Sequence, residues 1–195
     1  MAASPIDFLL SKVPHSPFGP PQSAYISRQV SIEGLFERIQ AIGWREPLKP
    51  SYDLQSFRWL MSQIASGDSR EQVRMACVEA ADGDPCGWYA YTRQPDGAVS
   101  VLQIGVRRRD QFDGVLLALF KDAWQQGAVF VKGQAIPQFL VNLTNQQCLF
   151  RQANTSVLIH SRDRELLDTI LRGKAALSRL DGESWMRFGS VDPSG

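Results

Sequence analysis

Three consecutive arginines, Arg107, Arg108 and Arg109, are the residues in this chain best suited to holding an anion. A guanidinium grips phosphate or carboxylate oxygens through its planar fork, so the run could carry phosphate contacts on side chains alone. The other reading is a solvated strand end, partly balanced by Asp110 and Asp113. Beyond this run, candidate chemistry is sparse. The histidines are His15 and His160, too few for a histidine-rich metal cluster. Cys77, Cys86 and Cys148 show no CxxC spacing, which argues against a structural zinc and for reduced thiols in a cytoplasmic protein. A nucleophile elbow, a dinucleotide fingerprint and a P-loop are all missing. Asp181-Gly182-Glu183 ahead of Trp185 could present two carboxylates, or could simply be a turn in which Asp181 bonds local backbone.

The elements that would position these residues follow from the hydrophobic pattern. Residues 1–24 carry Pro5, Pro14, Pro17, Pro20 and Pro21, and so read as an arm or interdomain linker. The first 11 residues have no basic leader and are not read as a signal peptide. Ser31 caps a helix bearing Ile32, Leu35, Phe36, Ile39 and Ile42, which Gly43 stops. A second helix opens near Asp53 and buries Leu54, Phe57, Leu60, Met61 and Ile64. Strands are expected at 71–81, 86–93 and 98–107, with turns at Asp82-Gly83 and Asp96-Gly97. Trp88-Tyr89-Ala90-Tyr91 favours a strand covered on both faces. A helix over 111–126 with Asp110 at its N-cap leads into a short buried strand at 128–133. After it come a helix at 139–145, a strand at 155–160, a helix at 164–171 and a last strand at 184–188. Trp88, Tyr89, Tyr91, Trp124 and Trp185 could line a pocket or fill the core.

The formal net charge of +1 gives no field for broad nucleic-acid or membrane-surface binding, and no apolar run reaches the ~20 residues that a bilayer requires. The chain is read as one α/β domain over 25–190, with a mixed, mainly antiparallel sheet of six or seven strands flanked by helices.

The order of two helices, three meandering strands, a helix and a strand resembles the acyl-CoA N-acyltransferase (GNAT) superfamily. Local pieces that carry the resemblance are Tyr52-Asp53 with Phe57 and Trp59-Leu60, Gly87-Trp88-Tyr89, Val101-Leu102-Gln103-Ile104, and Asp181-Gly182-Glu183 with Trp185 and Phe188. They are similar to a divergent bacterial GNAT-like group in which such a unit is the second half of a tandem protein. The resemblance implies transfer of an acyl group from acetyl-CoA or another acyl-CoA to a small-molecule amine, without a metal. It also implies a partner GNAT-like domain or a homodimer. It would place the pantetheine arm between strands 98–107 and 128–133, along Gln103 and Ile104, and the phosphates on Arg107, Arg108 and Arg109. Such chemistry needs a base and an acid, for which Glu79, His160 and Cys148 are the candidates. Family members hold pyrophosphate on a glycine-containing turn whose bare N–H groups open a helix. Here that turn reads Arg107-Arg108-Arg109-Asp110-Gln111, without glycine, and the helix that follows the next strand has no tyrosine to act as acid. The alternative is therefore a non-catalytic GNAT-fold module that no longer binds CoA.

Overall fold

The computed structural model describes residues 21–43, 46–67, 72–151 and 159–181. Five strands form one sheet: β1 (Ile26–Gln29), β2 (Gln72–Glu79), β3 (Pro85–Arg93), β4 (Ala98–Val106) and β5 (Phe130–Lys132), arranged in that order. The first four are antiparallel neighbours, while β5 runs parallel to β4. The helices are α1 (Ile32–Ile42), α2 (Leu54–Gly67), α3 (Phe112–Gln125), α4 (Leu140–Asn145) and α5 (Arg164–Leu171). A meander followed by a helix that crosses to a parallel strand is the order that the resemblance implies, and β4 and β5 lie side by side as the sequence reading expects.

Period-two alternation on β3 divides the core into two layers. Tyr89 and Tyr91 join Ala76, Val78 and Val99 under α3, which contributes Val115, Leu116, Leu119 and Ala123. Trp88, Ala90 and Leu102 face the other way, against Leu35 and Ile39 of α1, Phe57, Met61 and Ile64 of α2, and Leu180. Helices thus cover both faces, which is why Trp88, Tyr89, Ala90 and Tyr91 are all fully buried. Ser31 caps α1 by accepting the Gly34 N–H at 3.1 Å, and Gly43 ends the helix at φ +74°.

Several expectations need correction. The hydrophobic pattern assigns no element to residues 26–29, yet β1 pairs there with β2 from Ile26↔Glu79 to Gln29↔Ala76. Its sequence, Ile-Ser-Arg-Gln, carries one bulky apolar residue, so alternation cannot reveal it. The strand at 128–133 is expected to be buried, but Phe130 is 52% exposed and Val129 71%. Only three residues of β5 pair with β4, at the edge of the described sheet. Trp124 is half exposed and is neither pocket nor core. Five strands are present among the described residues. The strand expected at 184–188 with Trp185, all but the end of the one at 155–160, and most of the proline-rich arm with His15 lie outside them.

Candidate functional site

β4 and β5 pair only at Ala98↔Phe130, Val99↔Val131 and Ser100↔Lys132, while β4 continues for six more residues. The strands therefore part beyond Ser100. A register shift lies in the same stretch: Ala90 pairs with Gln103 and Tyr91 with Val101, leaving Leu102 without a partner on β3. Such bulges aim a strand's polar groups away from the regular ladder. The Leu102 carbonyl accepts the Leu180 N–H at 3.0 Å, and Leu180 is itself buried. The chain around residues 175–181 is held in place by Ala175, which bridges Leu48, and by the Ala176 N–H, which donates to the Leu48 carbonyl at 2.8 Å. A piece of this chain thus takes up hydrogen-bonding capacity on β4 where the strands separate.

The turn after β4 closes on itself. The Arg107 N–H donates to the Cys86 carbonyl at 2.8 Å, and the Arg108 N–H to Gln111 Oε1 at 3.1 Å. The Gln111 N–H returns to the Arg108 carbonyl, and the Phe112 N–H to that of Arg109, making a 3₁₀ turn over Arg109–Gln111. The sequence pattern puts Asp110 at the helix cap. Instead α3 begins at Phe112 after that 3₁₀ turn, and Asp110 lies within the turn, its carboxylate 3.2 Å from Arg108 Nε. Arg107 pairs with Asp84 at 2.7 Å, and an Arg109 Nη donates to Gln138 Oε1 at 3.2 Å.

Asp113 occupies the first turn of α3. Its Oδ2 accepts from Asn142 of α4 at 2.9 Å, while its Oδ1 is buried without a hydrogen-bond partner. A phosphate ~4 Å from this carboxylate would meet repulsion of ~4 kcal/mol at an effective dielectric of ~20. The N–H groups of Arg107, Arg108, Gln111 and Phe112 are committed within the protein, and these bonds with the carboxylate at the helix start weigh against a pyrophosphate held by those four donors. The arginine side chains are less committed, because exposed ion pairs are worth ~0–1 kcal/mol and exchange readily for a better anion.

Gln103 and Ile104 point to opposite faces. Ile104 packs on the layer under α3. Gln103, 1% exposed, accepts the Trp88 indole N–H at 3.1 Å and donates to Ser178 Oγ at 3.3 Å. Ser178 in turn donates to Asp181 Oδ2, through its hydroxyl at 2.5 Å and its N–H at 2.8 Å, and Tyr52 donates to Asp181 Oδ1. Burial and this bond to a carboxylate push the Tyr52 phenol far above its ordinary range. The chain Trp88–Gln103–Ser178–Asp181–Tyr52 fixes the 178–181 segment against β4. Gly105 serves the same packing: a Cβ there would collide with the Trp88 ring. The sequence singles out Tyr52 and Asp181 separately, and only the fold joins them.

The candidate acid and base groups lie on different elements, β2 for Glu79 and the segments after α4 and before α5 for Cys148 and His160. Glu79, at the end of β2, is bound by Arg28 at 2.7 Å and Arg38 at 3.4 Å, and β3 separates its strand from β4. Cys148 follows α4, and its partial burial raises the thiol above its usual value. His160 is exposed, and Asp163, not His160, caps α5. No hydrogen bond or ion pair links Glu79, Cys148 and His160 among the described residues. Among those residues no cluster of His, Cys, Asp and Glu could hold a metal, and no helix is long and apolar enough to cross a membrane.

No family model matches this sequence, and no curated protein matches it. Solved structures similar to the chain include glucosamine-6-phosphate N-acetyltransferase from Arabidopsis thaliana, at 14% identity and a TM-score of 0.46, covering 70% of this chain and 99% of that one. Another is the protein TTHA1254 from Thermus thermophilus, at 19% identity and a TM-score of 0.45 over 70% of this chain and 98% of that one. A third is the aminoglycoside 6'-N-acetyltransferase AAC(6')-Ih from Acinetobacter baumannii, at 12% identity and a TM-score of 0.40 over 71% and 99% of the two chains.

Proposed function

We propose that this chain is a degenerate GNAT-fold domain that no longer grips the pyrophosphate of CoA, and that works as a structural or interaction module. The carrying observation is the closed turn after β4, where the N–H groups of Arg107, Arg108, Gln111 and Phe112 all bond within the protein and Asp113 puts a carboxylate at the helix start. The pairing of Glu79 with Arg28 and Arg38 supports the same reading, since a carboxylate held by two guanidinium groups is a poor proton acceptor. Exposed apolar side chains on and around β5 and α4, Val129, Phe130, Val141 and Leu149, offer a surface for packing on a partner domain or a second copy.

A second reading keeps the acyltransferase. It is favoured by the parting of β4 from β5, which leaves a strand edge along which a thioester arm could lie. In that case Arg107, Arg108 and Arg109 carry the phosphates on their side chains, and an amine accepts the acyl group. Calorimetry with acetyl-CoA and longer acyl-CoAs separates the two. The module reading expects no saturable heat. The acyltransferase reading expects binding that weakens at least ~10-fold when Arg108 and Arg109 are both changed to Ala, since hydrogen bonds to charged groups are worth ~1.5–3 kcal/mol.

A further inference from the structure

At the opposite end of the sheet from that turn, a cleft of about 320 Å³ opens between the strands and the end of α3, lined by Gln29, Gln72, Val73, Arg74, Tyr91, Arg93 and Gln126. Its two cations differ. Arg74 is neutralised by Asp122, at 2.7 Å, and also donates to Gln29 Oε1 at 2.7 Å. Arg93 has no carboxylate partner among the described residues, and its Nε is fully buried without a hydrogen bond. A guanidinium stays charged at any physiological pH, so this donor cannot escape its cost by losing a proton. The C-terminal end of α3, which Arg93 approaches near Gly127, provides a favourable dipole but no bond to that Nε.

We propose that this cleft is a binding site for a small carboxylate, held by the Nη groups of the Arg93 guanidinium. With Arg74 and Asp122 cancelling, Arg93 leaves one net positive charge, which a monoanionic carboxylate balances. Gln29, whose Oε1 is already occupied by Arg74, keeps its amide N–H groups to donate, and Gln126 adds another amide. Val73 supplies an apolar wall for the body of the ligand. The volume is at the lower end of what small-molecule sites occupy.

The test titrates acetate, succinate and phosphate into the intact protein at constant ionic strength, with chloride as the reference anion. The Arg93 Nε–H resonance and the melting temperature are followed together. Acetate and succinate are expected to shift the resonance saturably and to raise the melting temperature above that in chloride. Arg93→Met should weaken the affinity at least ~10-fold, as expected for loss of a charge-assisted pair. If that variant does not fold, Arg93→Lys, which keeps the charge and loses the fork, replaces it. An unmoved resonance, or an equal thermal gain in the variant, overturns the site. A response to phosphate alone overturns its assignment to carboxylates.

Discussion

Asp122→Ala is the sharpest probe of how the layer under α3 is held. Asp122 is 4% exposed and accepts from Arg74 Nε at 3.0 and 2.7 Å, from Arg74 Nη2 at 2.7 Å and from the Tyr91 hydroxyl at 2.9 Å. Removing the carboxylate leaves a fully buried phenol and a largely buried guanidinium without their acceptor. Breaking a buried pair from one side costs ~3–5 kcal/mol, and the lower end applies because the Arg74 side chain keeps 22% exposure and its bond to Gln29. For a domain of this size ~3 kcal/mol lowers the melting temperature by ~6–12 °C. Chemical denaturation of Asp122→Ala, Arg74→Met and the double variant closes a cycle whose coupling energy should reach ~1.5–3 kcal/mol. A single-variant cost under ~1 kcal/mol with coupling near zero would show a solvent-screened pair and refute the reasoning.

Gly105→Ala drives a Cβ into the buried Trp88 ring, so overpacking should cost ~3 kcal/mol and change the tryptophan fluorescence; a loss within ~0.5 kcal/mol would contradict that packing. Ser31→Ala removes the cap of α1 and should cost ~1 kcal/mol by denaturant titration. Stability should fall at alkaline pH. Burial holds the phenols of Tyr52, Tyr89 and Tyr91 above the ordinary 10.0, and the thiols of Cys77 and Cys86 above the ordinary 9.0. The unfolded chain releases these protons first and then binds fewer than the fold, so stability is full below about pH 9 and declines as pH rises through ~9–10 and beyond. Constant stability between pH 8 and 11 would be evidence against those burials.

The fold is more legible than the site because burial leaves a periodic trace and a hydrogen-bond network does not. The β3 run Trp88-Tyr89-Ala90-Tyr91 announces two-sided cover, and the stripe Phe112, Val115, Leu116, Leu119 and Ala123 announces α3. β1, mostly polar and at the sheet edge, carries no such stripe. At the turn, the missing glycine is visible in the sequence, but what replaces it is not. Gln111, by its position an ordinary first helical residue, turns back to take the Arg108 N–H, and Asp110 serves Arg108 rather than the helix. Asp181 is legible as a turn residue, and it does bond the Ser178 N–H, yet its link to Tyr52 spans 129 positions and leaves no local signal. Arg93 and Asp122 stand in ordinary polar positions of a strand end and a helix, and only the fold shows one with a buried, unbonded Nε and the other doubly engaged.

The closed turn is tested most directly by the backbone amide resonances of residues 107–113 during titration with acetyl-CoA. With the N–H groups of Arg107, Arg108, Gln111 and Phe112 committed to Cys86, Gln111, Arg108 and Arg109, these resonances should stay in place up to millimolar ligand. Saturable shifts of the Arg107, Arg108, Gln111 and Phe112 amides would show the turn opening around a phosphate and would contradict the account.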